Sequence, residues 1–206
     1  MTQRPDATTA KDSGGGFTPH SEGQHGVVCV DVINLGTKLE TFPGAEPREV
    51  DKVALVFASG ERQEAGQLVL LTVEMTLSMN EKANLRKFLE SWRGRSYTAE
   101  QAEKGVPLEK LQGNTALVSV EHITTKTGRR FAKVQSVAPL PQAMAMSTDK
   151  VAALLEEYER PQFFADRKEE YAAGVLKHRA AYMNTVDAID DEYDDEDMDD
   201  GEELPF

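Results

Sequence analysis

The chain has 206 residues, a formal net charge of −13 and a single cysteine, which is room for one domain with appendages. Twelve carboxylates and no Lys or Arg fall between residues 187 and 203, so the rest of the chain nets only −1. The low pI therefore describes the tail, and it does not exclude nucleic acid as a partner of the body. One cysteine excludes an intramolecular disulfide and fits a reducing compartment, and no apolar stretch approaches the ~18 residues of a membrane span. The N-terminus lacks a basic-then-apolar signal, so a cytoplasmic location is expected.

Residues 1–24 are rich in Thr, Ser, Gly, Pro and charge and predict a disordered arm. The first strand begins near His25, with Val28, Val30, Val32 and Asn34 on one face and Val27, Cys29, Asp31 and Ile33 on the other. Leu35-Gly36 should break it, leaving residues 37–50 as a long loop. Lys52 to Ala58 is a second strand and Leu68 to Leu77 a third. The period then changes: Ala83, Leu85, Phe88, Leu89 and Trp92 recur at helical spacing over Asn80 to Trp92, with Ser78 or Asn80 as the cap and Gly94 as the stop. Thr98 can cap a short second helix. Thr115 to Ile123 alternates as a fourth strand, Thr124 to Gly128 is a hairpin turn, and Arg130 to Val137 is a fifth strand. Asp149 to Arg160 and residues 162–183 read as amphipathic helices, the second with Phe164, Tyr171, Val175 and Tyr182 on one stripe. These helices either pack on the body or mediate self-association into a homo-oligomer. Residues 184–206, an acidic run closing on Leu204-Pro205-Phe206, should not fold, because like charges meet at every helical and strand spacing.

Three strands, a helix and a hairpin is the element order of the OB-fold, a small five-stranded Greek-key barrel whose helix lies between strands 3 and 4. The expected fold class is thus mainly β: an OB-fold barrel over residues 25–141, a helical extension over 148–183, and the disordered arm and tail. Two resemblances point the same way. The ending, an acidic run with a Pro-Phe tip, is similar to the C-terminus of bacterial and phage single-stranded DNA-binding proteins. The body, through His25-Gly26-Val27-Val28-Cys29-Val30-Asp31, the stretch from Glu81 to Arg95, and Val120-Glu121-His122, resembles phage-encoded proteins of replication modules. That resemblance implies an OB-fold that binds single-stranded DNA, a bacterial host cytoplasm, and a tail whose Leu204, Pro205 and Phe206 recruit replication or recombination proteins.

Positive charge is concentrated where such a fold would use it. Between Lys82 and Lys133 there are eleven Lys and Arg against five Glu. Arg86, Lys87, Arg93 and Arg95 lie on or just after the helix, and Lys126, Arg129, Arg130 and Lys133 lie in and after the last hairpin turn. These are the expected phosphate contacts. Tyr97 and Phe131 sit beside that charge and are the favoured stacking platforms. Trp92 and Phe88 fall on the apolar helix stripe and read as core; Phe57 is evenly balanced, and Phe42 is a further candidate. His20, His25, Cys29 and His122 match no common zinc spacing, and His20 falls in the arm, so neither a metal nor a cofactor is expected. No nucleophile elbow, phosphate loop or paired Cys-x-x-Cys is present, and no enzymatic activity is expected.

The function expected from the sequence is sequence-tolerant binding of single strands, by phosphate contacts and base stacking. The acidic tail would compete for the basic face and be displaced by DNA. Two alternatives remain open: a protein-interaction adaptor in replication or recombination, and an acidic DNA mimic that inhibits a nucleic-acid enzyme.

Overall fold

The computed structural model describes residues 18–193, with side-chain environments for residues 18–181. The N-terminal residues 1–17 of the expected arm and most of the acidic tail, including Leu204, Pro205 and Phe206, lie outside the described residues. Five strands form one antiparallel sheet: β1 (Gly23–Glu40), β2 (Arg48–Arg62), β3 (Leu68–Thr76), β4 (Thr115–Thr124) and β5 (Arg130–Ala138), in the order β3-β2-β1-β4-β5. Helix α1 (Asn84–Arg93) and helix α2 (Ala99–Lys104) lie between β3 and β4, while α3 (Thr148–Glu157) and α4 (Phe163–Tyr193) follow β5. The expected closed barrel is not seen. The edge strands β3 and β5 bring Cα atoms within 8 Å of each other, but no hydrogen-bonded ladder joins them among the described residues.

Strand β1 departs from the simple alternation read in the sequence, and two bulges are the reason. The register against β2 shifts between Cys29 and Asp31 and again between Asn34 and Gly36. The first bulge places Val30 and Asp31 on the same side, so the phase reverses: Val32 joins Val27 and Cys29 in the core under α1, while Ile33 and Leu35 join Val28 and Val30 in a second core. The second bulge carries the strand through Leu35-Gly36 instead of ending it. Gly36 takes a φ of 77°, which a bulge of this kind demands and which a side chain would resist. β1 therefore runs to Glu40, and the expected long loop shrinks to residues 41–47. Its first half pairs with β4 (Gly23 opposite Val120, Val28 opposite Thr115) and the rest with β2, so one long strand joins both parts of the sheet.

The inner core lies under α1. Leu85, Leu89 and Trp92 on its apolar stripe are buried against Phe57, Leu55, Val118 and Val137. Each such side chain stabilises by about 1.5–3 kcal/mol. Phe57 packs edge-on against Trp92, with ring centroids 5.3 Å apart, and Phe88 lies 6.4 Å from Trp92. The Trp92 indole N–H donates to the carbonyl of Thr115 at 2.9 Å, and the Ser91 hydroxyl donates to Val137 at 2.5 Å. Those two bonds tie α1 to β4 and to the end of β5. Gly94 closes the helix with a left-handed φ of 68°. The helix begins later than expected, at Asn84. Ala83 occupies the cap position without a side-chain bond, and the Asn80 side-chain oxygen accepts from the Lys82 backbone N–H in the turn before it.

The second core explains the continuous apolar run of β2, in which every residue from Lys52 to Ala58 is buried. Ala54, Val56 and Ala58 face outward from the α1 side and are covered by Leu154 of α3 and by Phe164 and Tyr171 of α4. α4 also buries Val175 and runs to Tyr193, ten residues beyond the boundary expected from composition. The stripe Phe164, Tyr171, Val175 is the one that the periodicity selected. Polar clamps fix these helices at several points. Asp31 accepts from the Tyr158 hydroxyl at 2.9 Å and from Arg160 at 2.8 and 3.0 Å. Glu74 accepts from the Tyr171 hydroxyl at 2.6 Å and from Arg167 at 3.1 Å; Arg179 binds Glu49, and Arg62 binds Glu157.

The segment before β1 is also built into the fold, contrary to the expected arm boundary at residue 24. Thr18 exchanges bonds with the Gln63 side chain, Ser21 donates to Glu61, and His20 is only 1% exposed with its ring 2.7 Å from the Ser59 hydroxyl. The His122 ring bonds the carbonyl of His20, and the His25 ring lies 4.5 Å from that of His20. Burial holds the His20 pKa below its ordinary 6.5, and the neighbouring His25 and His122 act in the same direction, against Ser21 and Glu61. The unfolded chain thus takes up a proton that the fold resists. Stability is complete above about pH 6.5 and falls as pH drops below it. The expected result is a melting temperature that declines from about pH 7 to 5, with the slope reduced in His20→Gln. An equal slope in both proteins would assign the acid response to other groups.

Candidate nucleic-acid interface

The sheet offers its two halves very differently to solvent. The outward face of β1, β2 and β3 is sealed by α3 and α4, and its rim is acidic, with Glu49 and Glu74 engaged by cations of α4 and Asp31 by Arg160 of the α3–α4 linker. In OB-folds the strand 2–3 face is the usual oligonucleotide platform. Here it carries alanine and valine under a helix. Phe57, the aromatic candidate on that strand, is fully buried in the inner core.

The β4–β5 hairpin is open. Phe131 pairs with Ile123, and Lys133 with Glu121, on the face turned away from the core; Ala132 and Val134 turn inward. Phe131 is 39% exposed. The turn is closed by the backbone, with Thr125 N–H donating to Arg129 at 2.8 Å and Gly128 N–H donating to Thr125 at 2.9 Å, so the side chains of Lys126 and Arg129 are not needed to hold it. Arg130 lies 3.7 Å from Glu22, which also accepts from the His122 N–H at 2.8 Å. That bond from His122 is the main reason that the Glu22 carboxyl stays below its ordinary range.

The second group of expected contacts gathers at the end of α1. The Arg93 guanidinium lies over the Tyr97 ring, 4.2 Å from its centroid, and Arg95 and Lys87 are exposed. Arg86 is different. Its side chain binds Glu90 at 3.0 Å and donates to the carbonyls of Met79 and Tyr97, so it fastens the chain on both sides of α1. Glu90 in turn accepts from the Tyr97 N–H at 2.9 Å, and that bond together with Arg86 holds its carboxyl below the usual range. Arg86 is better described as a structural residue than as a phosphate contact. Tyr97 is half-buried and Trp92 is 7% exposed, so the ring of Tyr97 is available only at the mouth of a cleft.

The two groups are about seven strand residues apart along β5, roughly 23 Å. Of the eleven Lys and Arg between Lys82 and Lys133, only Arg86 and Arg130 have a carboxylate within 4.0 Å among the described residues. On α4 the pattern reverses, since Arg167 and Arg179 are both paired with sheet carboxylates. Leu111 and Asn114, which no sequence pattern marked, line the cleft beside Tyr97. Phe42 is 49% exposed in the β1–β2 loop, with Arg48 5.1 Å from its ring, but Arg48 also faces Glu40.

Among the described residues no cluster of three or more His, Cys, Asp or Glu is arranged to hold a metal ion, and no helix is long and apolar enough to cross a membrane. Buried Cys29 has its thiol pushed up to about 12, chiefly by burial. The molecule thus belongs to the mainly β class, as an open five-stranded antiparallel sheet with one face sealed by helices and one cationic hairpin left free. Comparison with protein-family models and with curated proteins finds no match for this chain.

Proposed function

We propose that the protein binds single-stranded nucleic acid, DNA in the first place, on the free side of a partly open OB-type barrel. The element order, the long bulged β1 shared between β2 and β4, and the close approach of β3 and β5 support the OB reading. The observation that carries the function is the strip of unpaired cations beside exposed Phe131 and the Arg93–Tyr97 stack, on a molecule whose other cations act largely as clamps. Cations left without carboxylates suit phosphates, and rings beside them suit bases. The strand would run from Lys126 and Arg129, along Phe131 and Lys133, to Arg93 and Arg95. The resemblance to phage replication-module proteins agrees with this role. The acidic run beyond Asp187 would compete with the strand for the same cations.

A fluorescence anisotropy titration of a labelled oligothymidylate, with a duplex control, tests the reading. Binding is expected to favour the single strand. With about four to six phosphates neutralised, log K should fall against log salt with a slope of about −3 to −4. A chain cut after Thr185 should bind more tightly, most of all at low salt. No binding in dilute buffer, or a preference for duplex, would overturn the proposal.

A further inference from the structure

Beside the end of α1 lies a cleft of about 320 Å³ whose lining has an unusual mixture of chemistry. Leu89, Trp92 and Leu111 supply an apolar floor, and Arg93 and Tyr97 form one wall. Asn114 lines the cleft and is exposed, with its side-chain N–H donating to the Lys110 carbonyl at 3.0 Å, which leaves its side-chain oxygen free to accept. We propose that this cleft is a base pocket, into which one unstacked nucleobase of the bound strand inserts against the Arg93–Tyr97 stack. The inference rests on the single-strand reading above and adds to it the place where a base is held.

The size is at the small end of ligand pockets, ~300–1,000 Å³, and suits one planar ring system better than a dinucleotide. The guanidinium of Arg93 already lies parallel in role to a stacked base, 4.2 Å from the Tyr97 centroid. Its other face is a planar, weakly hydrated cation, the kind of surface on which bases stack in single-strand complexes. Glu90, the nearest carboxylate to feel Arg93, is already occupied by Arg86 and the Tyr97 N–H, so it does not withdraw Arg93 from the cleft. The free oxygen of Asn114 can accept from a ring or exocyclic N–H of the base. Exposed Arg95, two residues from both Arg93 and Tyr97, and exposed Lys110, whose carbonyl holds Asn114, suit the phosphates on either side.

The position also fits the path. The Ser91 hydroxyl bonds Val137 at the end of β5, and Gly94 approaches the Pro139 ring so closely that a Cβ there would come within 3.1 Å of it. A strand leaving Lys133 along β5 would therefore arrive at Ser91 of α1, two residues before Arg93. The sealed face of β2 and β3 offers no ring to compete with this one.

Trp92 is the sole tryptophan and forms the cleft floor, so the protein carries its own reporter. The probes are a labelled oligothymidylate and an oligomer of the same length made of abasic residues. Trp92 emission should change with the same midpoint as the anisotropy of the label, and the abasic oligomer should bind more weakly and leave the emission unaltered. Tyr97→Leu should weaken oligothymidylate binding roughly 5- to 150-fold, and Tyr97→Phe should restore it. Asn114→Ala, at an exposed position, should lower affinity several-fold and covers the case in which Tyr97→Leu fails to fold. If the oligothymidylate binds while Trp92 emission stays flat and Tyr97→Leu binds like the parent, the pocket is overturned and the single-strand reading stands. If neither oligomer binds at any salt, both fall together.

Discussion

Asp31→Ala should cost about 3 kcal/mol of stability and loosen α3 and α4 without weakening oligonucleotide binding. The Asp31 residue is 7% exposed, and its two oxygens accept from the Val32 N–H, the Tyr158 hydroxyl and two nitrogens of Arg160. Alanine removes all of these acceptors at once. Arg160 can turn back to water, since its side chain is 57% exposed, but the Tyr158 hydroxyl is half-buried and loses its partner. Burial, and next the bond to Asp31, already hold the Tyr158 hydroxyl in its protonated, donating form. Asp31→Asn keeps an acceptor for Tyr158 and should cost clearly less. Urea unfolding read by circular dichroism gives the stability change, and limited proteolysis at residues 158–162 reports release of the helices. A shift under about 0.5 kcal/mol would show that the buried apolar contacts and the clamps at Glu74, Glu49 and Glu157 hold the helices without Asp31. A large loss of oligonucleotide affinity would place the strand on the sealed face instead.

The same residue shows where the sequence is readable and where it is not. Periodicity finds the order of five strands and the position of α1, because a core on one side of a strand or helix imprints its period on local sequence. It finds the alternation over Thr115 to Ile123, where Ala116, Val118 and Val120 are the buried face. It fails along β1, where the bulge at Val30 and Asp31 shifts the phase by one residue and the apolar run Val27 to Val30 has both faces covered. A residue whose neighbours are buried on both sides carries no phase information. Asp31 in such a run is the one visible sign that something distant answers it, and its partners Tyr158 and Arg160 lie more than a hundred residues away. Closure of the barrel is likewise a property of the strand edges, which side-chain patterns do not record.

The candidate interface is legible in part for a related reason. Charge density is local, so the cluster from Lys82 to Lys133 stands out in the sequence. Whether each cation is spent on a neighbour is not local. Arg86 has the same surroundings in sequence as Lys87, yet it is consumed by Glu90 and two carbonyls. His20 reads as part of a polar arm because its burial depends on Ser59 and His122, distant in sequence and adjacent only in the sheet. Phe57 balanced between core and surface until the position of α1 decided it.

The triple substitution Lys126→Ala, Arg129→Ala, Lys133→Ala should lower oligothymidylate affinity roughly tenfold to hundredfold at low salt and flatten the salt slope by about 2. The slope carries the stronger information, because losing three phosphate contacts removes about 0.7 from it for each one. All three side chains are exposed and free of ion pairs among the described residues, and the hairpin turn is closed by backbone bonds that alanine preserves. The melting temperature should therefore stay within a degree or two of the parent, which separates loss of contact from loss of fold. Lys177→Ala with Lys168→Ala provides the control, since it removes two exposed positive charges from α4 on the sealed side. If net charge alone governed binding, the control would weaken it in proportion to the charge removed. If the hairpin is the interface, the control loses little and the triple variant loses most. Equal slopes for the triple variant and the parent would show that the strand avoids the β4–β5 hairpin, and would leave the end of α1 as the remaining place for phosphates.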